Sequence, residues 1–135
     1  MSVAANSPLL NVIPGAQIQH FYGRSLFQFF NSTWRLDSRA DRMGIRLQGD
    51  LLKCHLQSMI SEGISLGAVQ VPADGQPIVL MNDRQTIGGY PRLGTLTPLA
   101  CSRLAQCKLS DTARFKAIGL LQAQREYRCF LQRFR

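Results

Sequence analysis

The sequence predicts a mainly β protein, a barrel of short strands with helices at its periphery. Two observations carry this expectation. Through the middle of the chain, short apolar and β-branched runs alternate with Gly- and Pro-rich turns, the pattern of strands joined by tight connections. Helical spacing is confined to a few stretches, near residues 19–33, 97–106 and 120–134, which is too little to build an all-helical core.

Each element follows from local chemistry. Residues 10–13 read as a strand stopped by Pro14-Gly15. Residues 19–33 read as a helix with Tyr22, Leu26, Phe29 and Phe30 on one face, although Gly23 weakens it by about 1 kcal/mol relative to Ala. Residues 34–37 form a short strand, residues 38–44 (SRADRMG) a polar turn, and residues 45–47 resume extended structure. Residues 67–71 and 77–81 are two apolar strands around PADGQ, where Asp74-Gly75 is a hairpin signal. Gly88-Gly89-Tyr90-Pro91 marks a second turn, and residues 94–97 another strand. Thr97 is suited to cap a helix over residues 97–106, with Pro98 in its first position. Residues 112–116 form the last strand. Residues 120–134 form an amphipathic helix with Leu120, Tyr127, Leu131 and Phe134 on one face and Arg125 and Gln132 on the other.

At 135 residues the chain is expected to be a single domain, residues 1–135, with residues 1–9 flexible. No apolar run reaches the ~18 residues of a membrane span, and the first residues lack the basic region and long apolar core of a signal peptide. The expected compartment is the cytoplasm, with no membrane partner. Four scattered cysteines, none in a CxxC pair, predict ordinary thiols and no metal site. The formal net charge is +8, with 13 Arg and 3 Lys, but the arginines are spread along the chain rather than gathered into a stripe. That distribution argues against a nucleic-acid partner. It suits bidentate contacts to carboxylates and an acidic partner surface.

Few residues offer catalytic chemistry. His20 and His55 sit in no nucleophile motif, and the chain has no Walker loop, no GxSxG and no GxGxxG. It is therefore not a self-sufficient nucleotide enzyme. Between residues 70 and 90, however, Gln70, Gln76, Asn82, Asp83, Arg84, Gln85, Thr86 and Tyr90 are interleaved with glycines and prolines. Such amide and carboxylate side chains present the paired donors and acceptors that match a planar amide. Asp83 is the candidate base or N–H acceptor, and Gly88 and Gly89 would let backbone N–H groups approach an oxyanion. The same composition also describes a hydrogen-bonded turn. Arg42 and Arg46 flank Gly44 and could clamp a carboxylate, or serve as fold-stabilising arginines.

DRMGIRLQG at residues 41–49, SEG at 61–63, GAVQVPADGQPIVLMNDRQTIGGYP at 67–91 and RLAQ at 103–106 together resemble the allophanate hydrolase subunit 2 family. That family takes in the C-type subunit of 5-oxoprolinase and the carboxyltransferase domain, subdomains A and B, of urea carboxylase. The resemblance implies a cyclophilin-like β-barrel, incomplete here because only the C-terminal half of the family's length is matched. It implies a role in ATP-dependent opening of 5-oxo-L-proline to L-glutamate, with ATP required by the complex rather than held by this chain. The implied partners are a sister subunit of the allophanate hydrolase subunit 1 or 5-oxoprolinase B type and an A-type subunit of the lactam-utilisation kind. On the motif positions, Asp83 and Gln85 would address the lactam. Arg42, Arg46 or Arg84 would take the carboxylate. Gln70, Gln76, Asn82, Thr86, Gly88, Gly89 and Tyr90 would line the pocket. Two departures stand out: Ile87 where the family carries a second Thr, and Ser110 where it carries Gly before Asp111.

Two alternatives follow from the same residues. One is a urea-directed carboxyltransferase using biotin, which would have to sit on a partner because no biotinyl Met-Lys motif is present. The other is a non-catalytic regulatory or remnant binding module. A half-length member is also expected to leave strand edges and apolar surface open, and hence to self-associate.

Overall fold

The computed structural model describes residues 7–15, 17–37, 44–55, 62–63, 66–81, 87–88, 90–108 and 110–132, with the side chains of 62–63 and 87–88 excepted. Its strands are β1 (Leu9–Pro14), β2 (Trp34–Leu36), β3 (Gly44–Gln48), β4 (Glu62–Gly63), β5 (Ala68–Gln70), β6 (Ile78–Leu80), β7 (Ile87–Gly88), β8 (Arg92–Leu96) and β9 (Thr112–Ala117). The helices are α1 (Gly23–Asn31), α2 (Pro98–Ala105) and α3 (Leu120–Gln132), with a 3₁₀ turn at Ile18–His20.

Seven of these strands close a barrel in the order β1-β8-β5-β6-β3-β2-β9, and β4 and β7 pair apart from it. Closure comes from β9 running parallel to β1, with Leu9 opposite Arg114 and Val12 opposite Ala117. The other barrel pairings are antiparallel. This corrects the expectation of open edges: a closed barrel offers no unpaired strand for edge-to-edge association. The N-terminal segment is tied down from Ser7, whose hydroxyl bonds that of Thr112, while the Pro8 carbonyl accepts from Arg114 N at 2.9 Å.

Alternation along the strands sends Leu10, Val12, Trp34, Leu36, Leu47, Val69, Val79, Leu93, Leu96 and Phe115 into one core. α1 adds Phe29 to it, and α2 adds Ala100, Cys101 and Leu104. Phe29 is fully buried, stacks on Phe115 at 4.8 Å and lies 5.8 Å from the Trp34 ring. Helix α1 is shorter than the spacing predicts. Phe21 is drawn into a bridge with Cys54, so the helix starts after it, and Tyr22 points out to stack on His55 at 4.1 Å instead of joining the buried face.

The hairpin between β5 and β6 forms as expected, but its connection is wider than a two-residue turn. Pro72 O accepts from Gly75 N at 2.9 Å, and Gly75 takes φ +84, a conformation that costs glycine nothing. Ser110 takes φ +76 without that freedom. Left-handed backbone costs a non-glycine residue about 1–2 kcal/mol, so Ser110→Gly is expected to raise stability by roughly 0.5–1 kcal/mol once the glycine entropy penalty of about 0.5–1 kcal/mol is subtracted. A chemical denaturation midpoint would show it, and an unchanged or lowered midpoint would mean that the serine side chain offsets the strain.

Thr97 caps α2 as predicted, accepting from Ala100 N at 3.3 Å, with Pro98 in the first turn. The docking of α3 departs from its hydrophobic pattern. Leu120, Tyr127 and Leu131 remain exposed, and Ala123 is the buried residue of the helix. A carboxylate anchors it instead: Glu126 Oε2 accepts from Asn11 Nδ2 at 2.6 Å, and Oε1 accepts from the Thr97 hydroxyl. Hydrogen bonds to a charged group contribute about 1.5–3 kcal/mol. Glu126→Ala should therefore undock α3, read as faster amide exchange across residues 120–132 with the barrel amides unchanged. Unaltered exchange in α3 would show that the apolar contacts suffice.

Candidate functional site

The candidate residues that the structure brings together lie on the outer face of β3, β6 and β5. On β3, Ile45 and Leu47 pack against the core, so Arg46 points outward. On β6, Val79 is internal, while Ile78 and Leu80 join Ala68 of β5 in a separate apolar cluster on the outer face. The register sets Arg46 opposite Ile78 and Ile78 opposite Gln70, and a bulge after Val69 sets Gln70 opposite Arg92. Arg46 and Gln70 thus stand in one rank on either side of Ile78, two strand spacings or ~10 Å apart at the backbone.

The polar groups along this rank are unevenly satisfied. Arg46 Nη2 donates to Asp74 Oδ2 at 2.8 Å and to Gln76 Oε1 at 2.6 Å, and Gln76 N donates to Asp74 Oδ1 at 3.0 Å. The turn between the two strands thereby holds the guanidinium in place. The Arg46 side chain is 29% exposed and that of Asp74 51%, so the ion pair itself contributes under about 1 kcal/mol. Its value is geometric. Arg46 Nε, by contrast, is buried with no hydrogen-bond partner among the described residues, and so is Gln70 Nε2, on a residue only 5% exposed. A buried unmet donor costs about 1–3 kcal/mol, and such orphans are rare enough in folded proteins to call for a reason. Two of them flank the same apolar floor, and the chemistry of each is that of a donor to a carbonyl or carboxylate oxygen.

Arg46, Gln70 and Gln76 are therefore brought together. Tyr90 is exposed and adjoins Pro91, whose carbonyl accepts from Val71 N at 2.9 Å, which places it near the end of β5. The backbone of Gly88 pairs with Glu62, away from the barrel sheet. Arg42, Asn82, Asp83, Arg84, Gln85, Thr86 and Gly89 lie outside the described residues. Sequence reasoning missed Asp74 as a site residue and used it only as a turn former. Its signal was available in an Asp two residues before Gln76, the spacing of a side chain that accepts from the backbone N–H two positions on.

Cys54, Cys101, Cys107 and Cys129 form no disulfide. No helix among the described residues is long and apolar enough to cross a membrane.

Comparison with known proteins agrees with the barrel. Residues 2–117 match the family described as carboxyltransferase domain, subdomain A and B. The chain is 39% identical over 116 residues to the 5-oxoprolinase C-type subunit of Haemophilus influenzae, covering 85% of this chain and 38% of that protein. It is 42% identical over 115 residues to the 5-oxoprolinase C-type subunit of Escherichia coli, covering 84% and 37%. The chain thus spans less than two-fifths of the length of these relatives. Among solved structures, the Kluyveromyces lactis urea amidolyase superposes with a TM-score of 0.80 at 22% identity, over 87% of this chain and 8% of that one, a likeness of fold. TTHA0988 superposes with a TM-score of 0.69 at 31% identity, over 82% of this chain and 21% of that one.

Proposed function

Because the chain belongs to the family of carboxyltransferase domains, subdomains A and B, we propose that it supplies the amide-recognising wall of a multi-subunit, ATP-dependent 5-oxoprolinase. The observation that carries this reading is the pair of buried donors without a partner among the described residues, Arg46 Nε and Gln70 Nε2, in one rank over the apolar floor of Ala68, Ile78 and Leu80. 5-Oxoproline offers a carboxylate and a lactam carbonyl at opposite ends of a small ring with apolar methylenes. Arg46 suits the carboxylate, since a guanidinium binds it with charge-assisted hydrogen bonds. Gln70 suits the lactam oxygen, and donation there stabilises the negative charge that builds on it as the ring opens. Asp83 is assigned as base or acceptor for the lactam N–H, with Gln85, Asn82, Thr86 and Tyr90 lining the remainder and Arg42 and Arg84 as further carboxylate partners.

Relatives named as the C-type component of 5-oxoprolinase support sister subunits of the B and A types as partners. ATP belongs to the complex, because this chain has no phosphate-binding loop. It supplies the driving force, while water opens the lactam C–N bond and the ring nitrogen leaves as the amine of glutamate. Under the urea reading, the same donors would meet a single carbonyl and leave the Arg46 Nε donor without a carboxylate, which is why the lactam acid fits better.

The test is coupled ADP release and glutamate formation from 5-oxoproline. This chain is mixed with its sister subunits and with the remaining length of the family's domain as a separate chain. Turnover should vanish when this chain is omitted, and Arg46→Ala should lower kcat/KM by about 10–100-fold, the equivalent of one charge-assisted hydrogen bond. Full activity in both Arg46→Ala and Asp83→Asn would overturn the assignment.

A further inference from the structure

A second concave site lies across the barrel, beside the β1–β9 seam, whereas the Arg46 rank sits on β3, β6 and β5. It is a cleft of ≈ 510 Å³ walled by Pro8, Arg103, Cys107, Ser110, Asp111 and Thr112, within the size range of small-molecule sites. Its two charges are of opposite sign and come from different elements: Arg103 from the last turn of α2 and Asp111 from the connection into β9. Among the described residues neither makes an ion pair, with the other or with any third group. Both are held by the backbone instead. Arg103 Nη1 donates to Leu9 O at 3.3 Å, and Asp111 Oδ2 accepts from Lys108 N at 2.7 Å. Among the described residues, Asp111 Oδ1 and the rest of the guanidinium make no further hydrogen bond.

Both charges also reach the Cys107 thiol, whose Sγ donates to Arg103 O at 3.5 Å. Burial pushes this thiol up and Asp111 adds to the rise, with Arg103 opposing. The sulfur is consequently protonated for the most part at pH 7, a thiol that alkylating agents label slowly. The hydroxyls of Ser110 and Thr112 complete a polar lining.

We propose that this cleft binds a free α-amino acid, its carboxylate on Arg103 and its ammonium on Asp111. Two fixed opposite charges that do not satisfy each other select a ligand carrying both signs a few ångströms apart, and a singly charged acid would leave Asp111 facing its carboxylate. 5-Oxoproline has no ammonium group, so the lactam itself does not fit this cleft, whereas the glutamate released in the lactam reading does.

Cys107 reports on the site directly. Alkylation by N-ethylmaleimide, followed by mass of the Cys107 peptide, is measured with L-glutamate, L-alanine or 5-oxoproline added to the full chain. An amino acid at twice its Kd should slow Cys107 labelling about threefold by mass action, leave Cys54 and Cys129 unchanged, and lose this effect in Asp111→Asn and in Arg103→Gln. If Arg103→Gln does not fold, Asp111→Asn decides, since an amide oxygen there can still accept from Lys108 N. The proposal is overturned by unprotected Cys107 with every amino acid up to about 100 mM, a Kd beyond which binding is not specific. It is equally overturned by protection that survives both substitutions, or by equal protection from 5-oxoproline. None of these outcomes alters the turnover test of the opposite face.

Discussion

Gln70→Met is expected to make the protein more stable and less active at once. The side chain is 5% exposed, and its Nε2 has no partner among the described residues. Methionine nearly keeps the volume and removes the amide, and a flexible thioether packs well beside Ala68, Ile78 and Leu80. Relieving one buried donor recovers about 1–3 kcal/mol, and with the amide oxygen lost as well a net gain of about 1 kcal/mol is expected. In a domain of this size that raises Tm by roughly 3–5 °C. In the reconstituted complex the same change removes a hydrogen bond to the lactam oxygen, so kcat/KM should fall about 10–100-fold. The two signs together are diagnostic. A structural glutamine would lose stability along with activity, and a bystander would change neither. A lower Tm for Gln70→Met would therefore refute the idea that this amide is held open for a ligand.

This opposition of stability and function also marks how far local sequence can reach. The cap at Thr97-Pro98 and the hairpin around Asp74-Gly75 were legible because both depend on residues a few positions apart. The site was legible only as a set of names. Arg46 and Gln76 are 30 residues apart in sequence, and nothing near Arg46 announces that β3 will lie beside β6. That adjacency makes Ile78 the floor and leaves Arg46 Nε without an acceptor among the described residues. The parallel pairing of β1 with β9 is more distant still, and it is what closes a barrel that the half-length resemblance predicted to be open. Where local reading failed outright, a polar contact had overridden an apolar pattern. The α3 spacing points to Leu120, Tyr127 and Leu131 as the packed face, yet Glu126 fixes the helix by bonding Asn11 and Thr97. At α1, the bridge between Phe21 and Cys54 removes Tyr22 from the face that its spacing assigns it.

The largest stability effect is expected at Phe29. Its ring joins three others: stacked on Phe115 at 4.8 Å, edge-on to Phe30 at 5.0 Å and tilted against Trp34 at 5.8 Å. Its backbone carbonyl accepts from Trp34 Nε1 at 3.1 Å. It is the point where α1, β2 and β9 meet in the core. Phe29→Ala should cost about 3–5 kcal/mol, as emptied aromatic sites do, out of a total of about 5–15 kcal/mol. Trp34 is the sole tryptophan and fully buried, so its emission follows this core without labelling. The urea midpoint read by Trp34 should fall sharply, while Phe27→Ala, two residues along the same helix but 67% exposed, should stay within about 0.5 kcal/mol of the parent. Because Phe29 packs inside the barrel and Arg46 projects from its outer face, the folded fraction of Phe29→Ala should bind substrate with unchanged affinity. A matched loss of affinity and stability would mean that the outer rank is set by core packing rather than by the Asp74–Gln76 turn that grips Arg46.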